Sequence, residues 1–260
     1  MYQSWLRLLK LLRLKKSEPM PLTAGVLIIG SLFWDSEQGR PAWREARLDM
    51  VSAQSVTAPI RYGRLSGKGR GHTYTTVFSR LAGIGHGKAV RCSRPIATPA
   101  DLLAEAEALW KAEQPGANAG RIADYWGCVA VLCNPERKLP EDLLKAWTDR
   151  IRAEPNSGNV TQTKAEGRLI DENGRLLIAW PTCVDRGVPL RFDLLLVTAN
   201  DPEISTARPD YPDVATIVGA WNGATAKHAE YFWKNAENAI HTFQDDEIRP
   251  LLRPRGQEQP

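Results

Sequence analysis

Three short stretches, "GVLIIG" (25–30), "GCVAVLC" (127–133) and "LLLV" (194–197), are apolar at almost every position. Successive side chains of a strand point to opposite faces, so a run apolar throughout needs cover on both sides. The chain therefore has to fold around a central sheet with material packed on each face. These runs belong to strands expected over 25–33, 125–135 and 191–200. Further strands are expected at 51–62, at 73–79 with its alternating "TYTTVFS", and at about 87–92.

Helix signals lie between these strands. "TPADLLAEAEALW" starts with Thr98 as N-cap, Pro99 at the first helical position and Asp101 three residues past the cap. Leu102, Ala106, Leu109 and Trp110 fall on one of its faces. "LPEDLLKAWTDRIRAEP" predicts a second helix with the stripe Leu143, Leu144, Trp147 and Ile151, stopped by Pro155 after Glu154. Asn173-Gly174, flanked by apolar runs, predicts a hairpin over 168–180 with a tight type I′ turn. A proline-rich loop (202–212) then leads to a last helix over about 222–243, carrying His228, Tyr231, Phe232, Ala239 and Phe243. Strands and helices are mixed without strict alternation, which predicts an α+β layer architecture.

Charge narrows the function classes. Residues 1–16 hold five basic and no acidic side chains; the remaining 244, with 29 basic and 30 acidic, carry −1. A nucleic-acid-binding body is not expected. The segment 1–19 reads either as a basic amphipathic leader able to lie on an anionic membrane or as a stretch outside the natural protein. The body is expected over 20–250, and 251–260 as a loose tail. Cys92, Cys128, Cys133 and Cys183 have no C-x-x-C spacing and sit in apolar surroundings, which predicts free thiols in a reducing, cytoplasmic setting. The four histidines form no zinc pattern, so no metal is expected.

Two stretches could carry chemistry. Gly30-Ser31-Leu32 ends the first strand on small residues, whose amides can hold an anion or merely turn a corner. Arg61 and Arg64 flank Tyr62-Gly63 on an apparent strand, as an anion clamp or as charge protecting an edge. Lys68 and Arg70 fall in the glycine-rich loop "GKGRGH" and read as solvated. Glu105, Glu107 and Glu113 read as the solvated face of the first helix, and His228 and Glu230 as members of the last.

The opening "GVLIIGSLFWD" resembles the γ-glutamylcyclotransferase-like superfamily, particularly its ChaC-type branch. There a strand ends in Tyr-Gly-Ser followed by Leu or Asn; Gly30, Ser31 and Leu32 match, Trp34 fits the aromatic context, and Ile29 stands in the tyrosine's place. "APIRYGRLSGKGRGHTYTTVFS" is similar to that family's second region, a strand with an aromatic and an arginine, then a turn and another strand. A glutamate near the end of a helix that follows a buried strand is the family's proton shuttle, and Glu154 stands roughly there, with Pro155 in place of the usual glycine. The likeness covers about half the chain (25–155).

The resemblance implies a mixed β-barrel or curved sheet with packed helices. It implies a cavity for a small-molecule γ-glutamyl or related amide bearing a carboxylate. The amides at 30–32 would hold that carboxylate, with Arg61, Tyr62 and Arg64 alongside. Glu154 would move the proton as 5-oxoproline is released, with no cofactor. On that reading Glu154→Gln abolishes turnover but leaves ligand binding. The other reading is a binding module of the same fold without catalysis.

Overall fold

The computed structural model describes residues 20–37, 39–67, 71–155, 167–202 and 210–253. The expected leader helix, Lys68 and Arg70, much of the proline-rich loop and most of the expected tail lie outside the described residues. Those of the tail that are described are held: Asn222 Nδ2 donates to Leu251 O at 3.0 Å, and Arg253 N to Asn222 Oδ1 at 2.9 Å.

The apolar runs lie side by side in one seven-stranded mixed sheet, in the order β3-β2-β4-β1-β7-β6-β5. Its strands are β1 (Ala24–Ile28), β2 (Leu48–Leu65), β3 (Tyr74–Phe78), β4 (Ile84–Cys92), β5 (Ala123–Asp124), β6 (Gly127–Cys133) and β7 (Leu194–Asn200). All the pairings are antiparallel except β1 with β7, where Ala24 pairs Leu194 and Leu27 pairs Val197. The expected barrel is not formed. The sheet stays open, with β3 and β5 as its edges, although Thr76 of β3 reaches across to donate to Ile29 O at 2.6 Å.

Alternation along each strand divides the core. Val26 and Ile28 of β1, and Leu194 and Leu196 of β7, face helices α1 (Arg40–Arg47), α2 (Pro99–Glu113) and α3 (Glu141–Ala153). Leu27, Leu195 and Val197 face the other way, against the irregular segment that carries Leu169, Ile170, Leu176, Leu190 and Phe192. Leucines such as Leu102 and Leu109, fully withdrawn from water, contribute on the order of 1.5–3 kcal/mol each. A third cluster joins Tyr62 and Tyr74 to α4 (Val214–Asn222), α5 (Ala226–Glu237) and the short α6 (Asp245–Ile248) through Ile217, Trp221, Phe232 and Ile248.

Local chemistry explains most boundaries. Thr98 Oγ1 accepts from Asp101 N at 3.2 Å while Asp101 Oδ2 accepts from Thr98 N at 2.8 Å, the reciprocal cap that starts α2. The helix expected over about 222–243 is shorter, α5 alone, ending at Glu237 with Asn238 as its C-cap, before Ala239, which has φ +51°, and Phe243. An unexpected helix, α4, precedes it, capped at Asp213 by a bond from Thr216 N at 2.7 Å. In β2 two bulges interrupt the ladder, between Asp49 and Gln54 and again between Tyr62 and Arg64. At the first, Ser52 Oγ accepts from Arg91 N at 3.0 Å in place of a backbone carbonyl.

The expected hairpin is a different turn. Gly174 N donates to Asp171 O and Asp171 N to Arg175 O, both at 3.0 Å, and Ile170 bridges Leu176. The loop is therefore the three residues 172–174, with Gly174 at φ +74°, rather than a two-residue type I′ turn. Its flanks form single bridges because they turn to join β6, where Val131 N donates to Gly174 O at 3.0 Å. A Cβ at Gly174 would strike Ile151 and stand 2.7 Å from Trp147 Nε1. Gly174→Ala is expected to lower unfolding free energy by about 2–4 kcal/mol, read as a shifted urea midpoint.

Candidate functional site

The chain leaves β1 through a tight turn. Phe33 N donates to Gly30 O at 3.1 Å, and Asp35 N to Ser31 O at 2.8 Å. Arg44 of α1 holds two further carbonyls, Leu32 O at 2.7 Å and Asp35 O at 2.9 Å. None of these bonds uses the N–H of Gly30, Ser31 or Leu32. The turn's carbonyls are engaged, and among the described residues these three successive N–H groups make no backbone bond beside a cavity of about 380 Å³ that the three residues line.

Arg40, the first residue of α1 and fully buried, ties this turn to the far wall. Its Nη1 donates to Ser31 Oγ at 2.8 Å and to Asp35 Oδ2 at 2.6 Å. Its Nε donates to Ala112 O at 3.3 Å, and Nη2 lies 3.7 Å from Glu113 Oε2. Glu113 is the last residue of α2 and lines the cavity. The helix end is fixed by Trp110, whose ring stacks on Trp126 at 5.0 Å between centroids.

Gly30 is required by a neighbour on α5. A Cβ there would lie 2.5 Å from Tyr231 Oη and 3.0 Å from Thr76 Oγ1. The Tyr231 and Thr76 hydroxyls are 2.9 Å apart, and Trp34 Nε1 donates to Asn235 Oδ1 one helical turn on, at 2.8 Å. Burial pushes the Tyr231 phenol above its ordinary pKa, with the Thr76 bond pulling the other way.

The residues expected at a site separate into two groups. Gly30, Ser31, Leu32 and Arg64 line the cavity together. The Arg64 guanidinium lies over the Trp126 ring at 4.5 Å. Arg61 and Tyr62 do not line it. Arg61 stands over Tyr211 at 4.1 Å, and Tyr62 is fully buried, edge-on to Trp221 at 4.6 Å. Burial first, and Asp245 second, raise the Tyr62 phenol well above its ordinary pKa.

Glu154 lies away from the cavity. Its side chain is fully buried between Arg121 and Arg150, with Arg150 Nη1 at 2.7 Å and Ile122 N at 3.4 Å from Oε2. A carboxylate so enclosed anchors the end of α3, and Glu154 is not among the residues that line the cavity. The acids read as a solvated helix face behave otherwise: Glu105 is buried against Arg47 at 3.0 Å, and Glu113 is the cavity's carboxylate.

Sequence reasoning also passed over Arg40, Thr198 and Asn200. The two β7 residues line the cavity on the face that begins with Leu194 and Leu196, and that change from apolar to polar was the available signal. Cys92, Cys128, Cys133 and Cys183 are free, and burial pushes the Cys92 and Cys128 thiols up to about 12. Among the described residues no cluster of His, Cys, Asp and Glu is arranged to hold a metal, and no helix is long and apolar enough to cross a membrane.

A scan against protein-family models and searches of curated proteins and of solved structures found no match.

The two glutamates are separable by stability. Glu154→Gln leaves two arginines beside a neutral partner and is expected to cost about 3–5 kcal/mol in urea denaturation. Glu113→Gln, with Arg40 still held by Ser31 and Asp35, is expected to cost only about 1 kcal/mol. The reverse order would mean that Glu154 is not an anchor.

Proposed function

We propose that the cavity binds a small amino-acid-derived amide carrying a carboxylate, and that the protein is a γ-glutamyl cyclotransferase with Glu113 as its proton shuttle. The observation that carries this reading is that Glu113 and the Gly30–Leu32 turn share one cavity and one buried guanidinium, that of Arg40. The amides of the turn, with Arg64 nearby, receive the carboxylate. The substrate's free amine attacks the γ-carbonyl carbon and closes the five-membered ring. Glu113 accepts the proton shed by the ring nitrogen and returns it to the leaving nitrogen as the carbon–nitrogen bond breaks. The products are 5-oxoproline and the released amine, with no water consumed.

This assignment gives Glu113 the role that the resemblance implied for Glu154. A glutamate with one partner 3.7 Å away and a face on the cavity can exchange a proton; one locked between two arginines cannot do so without breaking its pairs. The site can also be read as a binding module, because Arg40 holds Glu113 as an ion-pair partner and Ile29 supplies no hydroxyl to the cavity.

Incubation with a panel of γ-glutamyl dipeptides and amines, with 5-oxoproline followed by mass spectrometry, tests the proposal. Turnover is expected on at least one member and should fall about 10²–10⁴-fold in Glu113→Gln. Turnover that survives this substitution removes Glu113 from the chemistry. Binding of γ-glutamyl compounds without any 5-oxoproline leaves the binding-module reading.

A further inference from the structure

A second depression, of about 360 Å³, opens at the opposite end of β1 from the Gly30 turn. Three arginines, Arg91, Arg186 and Arg191, line it together with Thr23, Gln54 and Phe192, and no carboxylate does. Cations gathered around one opening repel each other, so their energy falls when an anion sits among them.

Each arginine is set by a fixed part of the fold. Arg91 lies on β4, paired with Gly25 on one side and Asp49 on the other. Arg186 is carried by a tight loop, in which Cys183 N donates to Val188 O and Gly187 N to Cys183 O, both at 2.8 Å. Val184 N donates to Ser55 O at 2.9 Å and fastens that loop to β2. Arg191 is held through both neighbours: Leu190 N donates to Pro181 O at 3.0 Å, and Phe192 O accepts from Asn134 Nδ2 at 2.7 Å. The Phe192 ring packs on Gly25, where a Cβ would lie 2.7 Å from it.

Nearby acids do not close the depression. Asp49 stands 3.2 Å from Arg91 in a pair exposed enough to be weak. Asp193 accepts from Thr23 N at 2.7 Å and faces Arg137 at 3.4 Å. Arg186 meets only the uncharged Gln54 Oε1 and Cys183 Sγ. Arg191 makes no hydrogen bond or ion pair among the described residues.

We propose that Arg91, Arg186 and Arg191 form a binding site for a phosphate group. A guanidinium presents two parallel donors to phosphate oxygens, and three such forks carried by separate elements suit a tetrahedral dianion better than a planar carboxylate. The Thr23 hydroxyl and the Gln54 amide nitrogen supply neutral donors, the Gln54 oxygen being taken by Arg186. The site is separate from the cavity at the Gly30 turn and does not depend on the function read there. The phosphate belongs either to a soluble phosphomonoester or to a lipid headgroup. Val51, 98% exposed, and the exposed Val184 and Val188 stand within two residues of lining residues, an apolar fringe that a headgroup at a bilayer surface would meet.

Isothermal titration of the full chain with inorganic phosphate, at constant ionic strength in chloride, tests the site. Binding is expected, and Arg191→Ala, which has no bond in the fold to lose, should weaken it about tenfold. Arg191→Lys keeps the charge but loses the fork and should weaken it severalfold. Lys145→Ala, an equal loss of charge on exposed α3, should change nothing. Absence of phosphate binding, or binding that Arg191→Ala leaves intact or Lys145→Ala weakens equally, overturns the site. Sedimentation with phosphatidylcholine vesicles, with and without a phosphatidylinositol phosphate, identifies the source. Headgroup-dependent binding that Arg191→Ala weakens assigns the phosphate to a lipid. Vesicle binding indifferent to Arg191→Ala, beside phosphate binding that is not, overturns the headgroup and assigns the site to a soluble ligand.

Discussion

A guanidinium stays charged wherever it is placed, so one taken fully out of water has to gather acceptors around it. Arg40 does so with Ser31, Asp35, Ala112 O and Glu113, groups from the exit of β1 and the end of α2. Those contacts join two parts of the chain about 80 residues apart and make them opposite sides of one cavity. Without that cation, Asp35 and Glu113 would face each other's charge across a shared interior. The position of the turn and the shape of the space beside it both follow from where Arg40 sits.

Much of the fold was legible because burial and periodicity act locally. The runs at 25–30, 127–133 and 194–197 became the adjacent strands β1, β6 and β7, and the Thr98–Asp101 cap marked the start of α2 to the residue. The Gly30-Ser31 exit was also readable, since small residues after an apolar strand announce a special turn. Failures came where a distant part of the chain decided the outcome. The hairpin at 171–175 was altered by its docking on β6 and Trp147, and the helix expected to run to 243 stops at Glu237, with Ala239 at φ +51° just beyond it.

The site was legible only on its β1 side. α2 and α3 each end in a glutamate, Glu113 with Gln114-Pro115 behind it and Glu154 with Pro155, and nothing local says which end meets the turn. Arg40 and Arg150 decide it, one beside Glu113 at the cavity and the other closing over Glu154. Arg61 and Arg64 were likewise a matter of phase. The bulge at Gly63 pairs Arg61 with Val77 and Arg64 with Thr75, so only the second reaches the cavity.

The parallel partnership of β1 with β7 also bears on how the molecule comes into being. β1 acquires that neighbour from sequence lying about 170 residues downstream. During synthesis its outer hydrogen-bonding edge stays unpaired until most of the body has left the ribosome, an apolar strand awaiting a mate. Contacts so distant along the chain form late and slowly. The pocket, with one lip after β1 and the other at the end of β7, is thus among the last features to exist in a newborn copy.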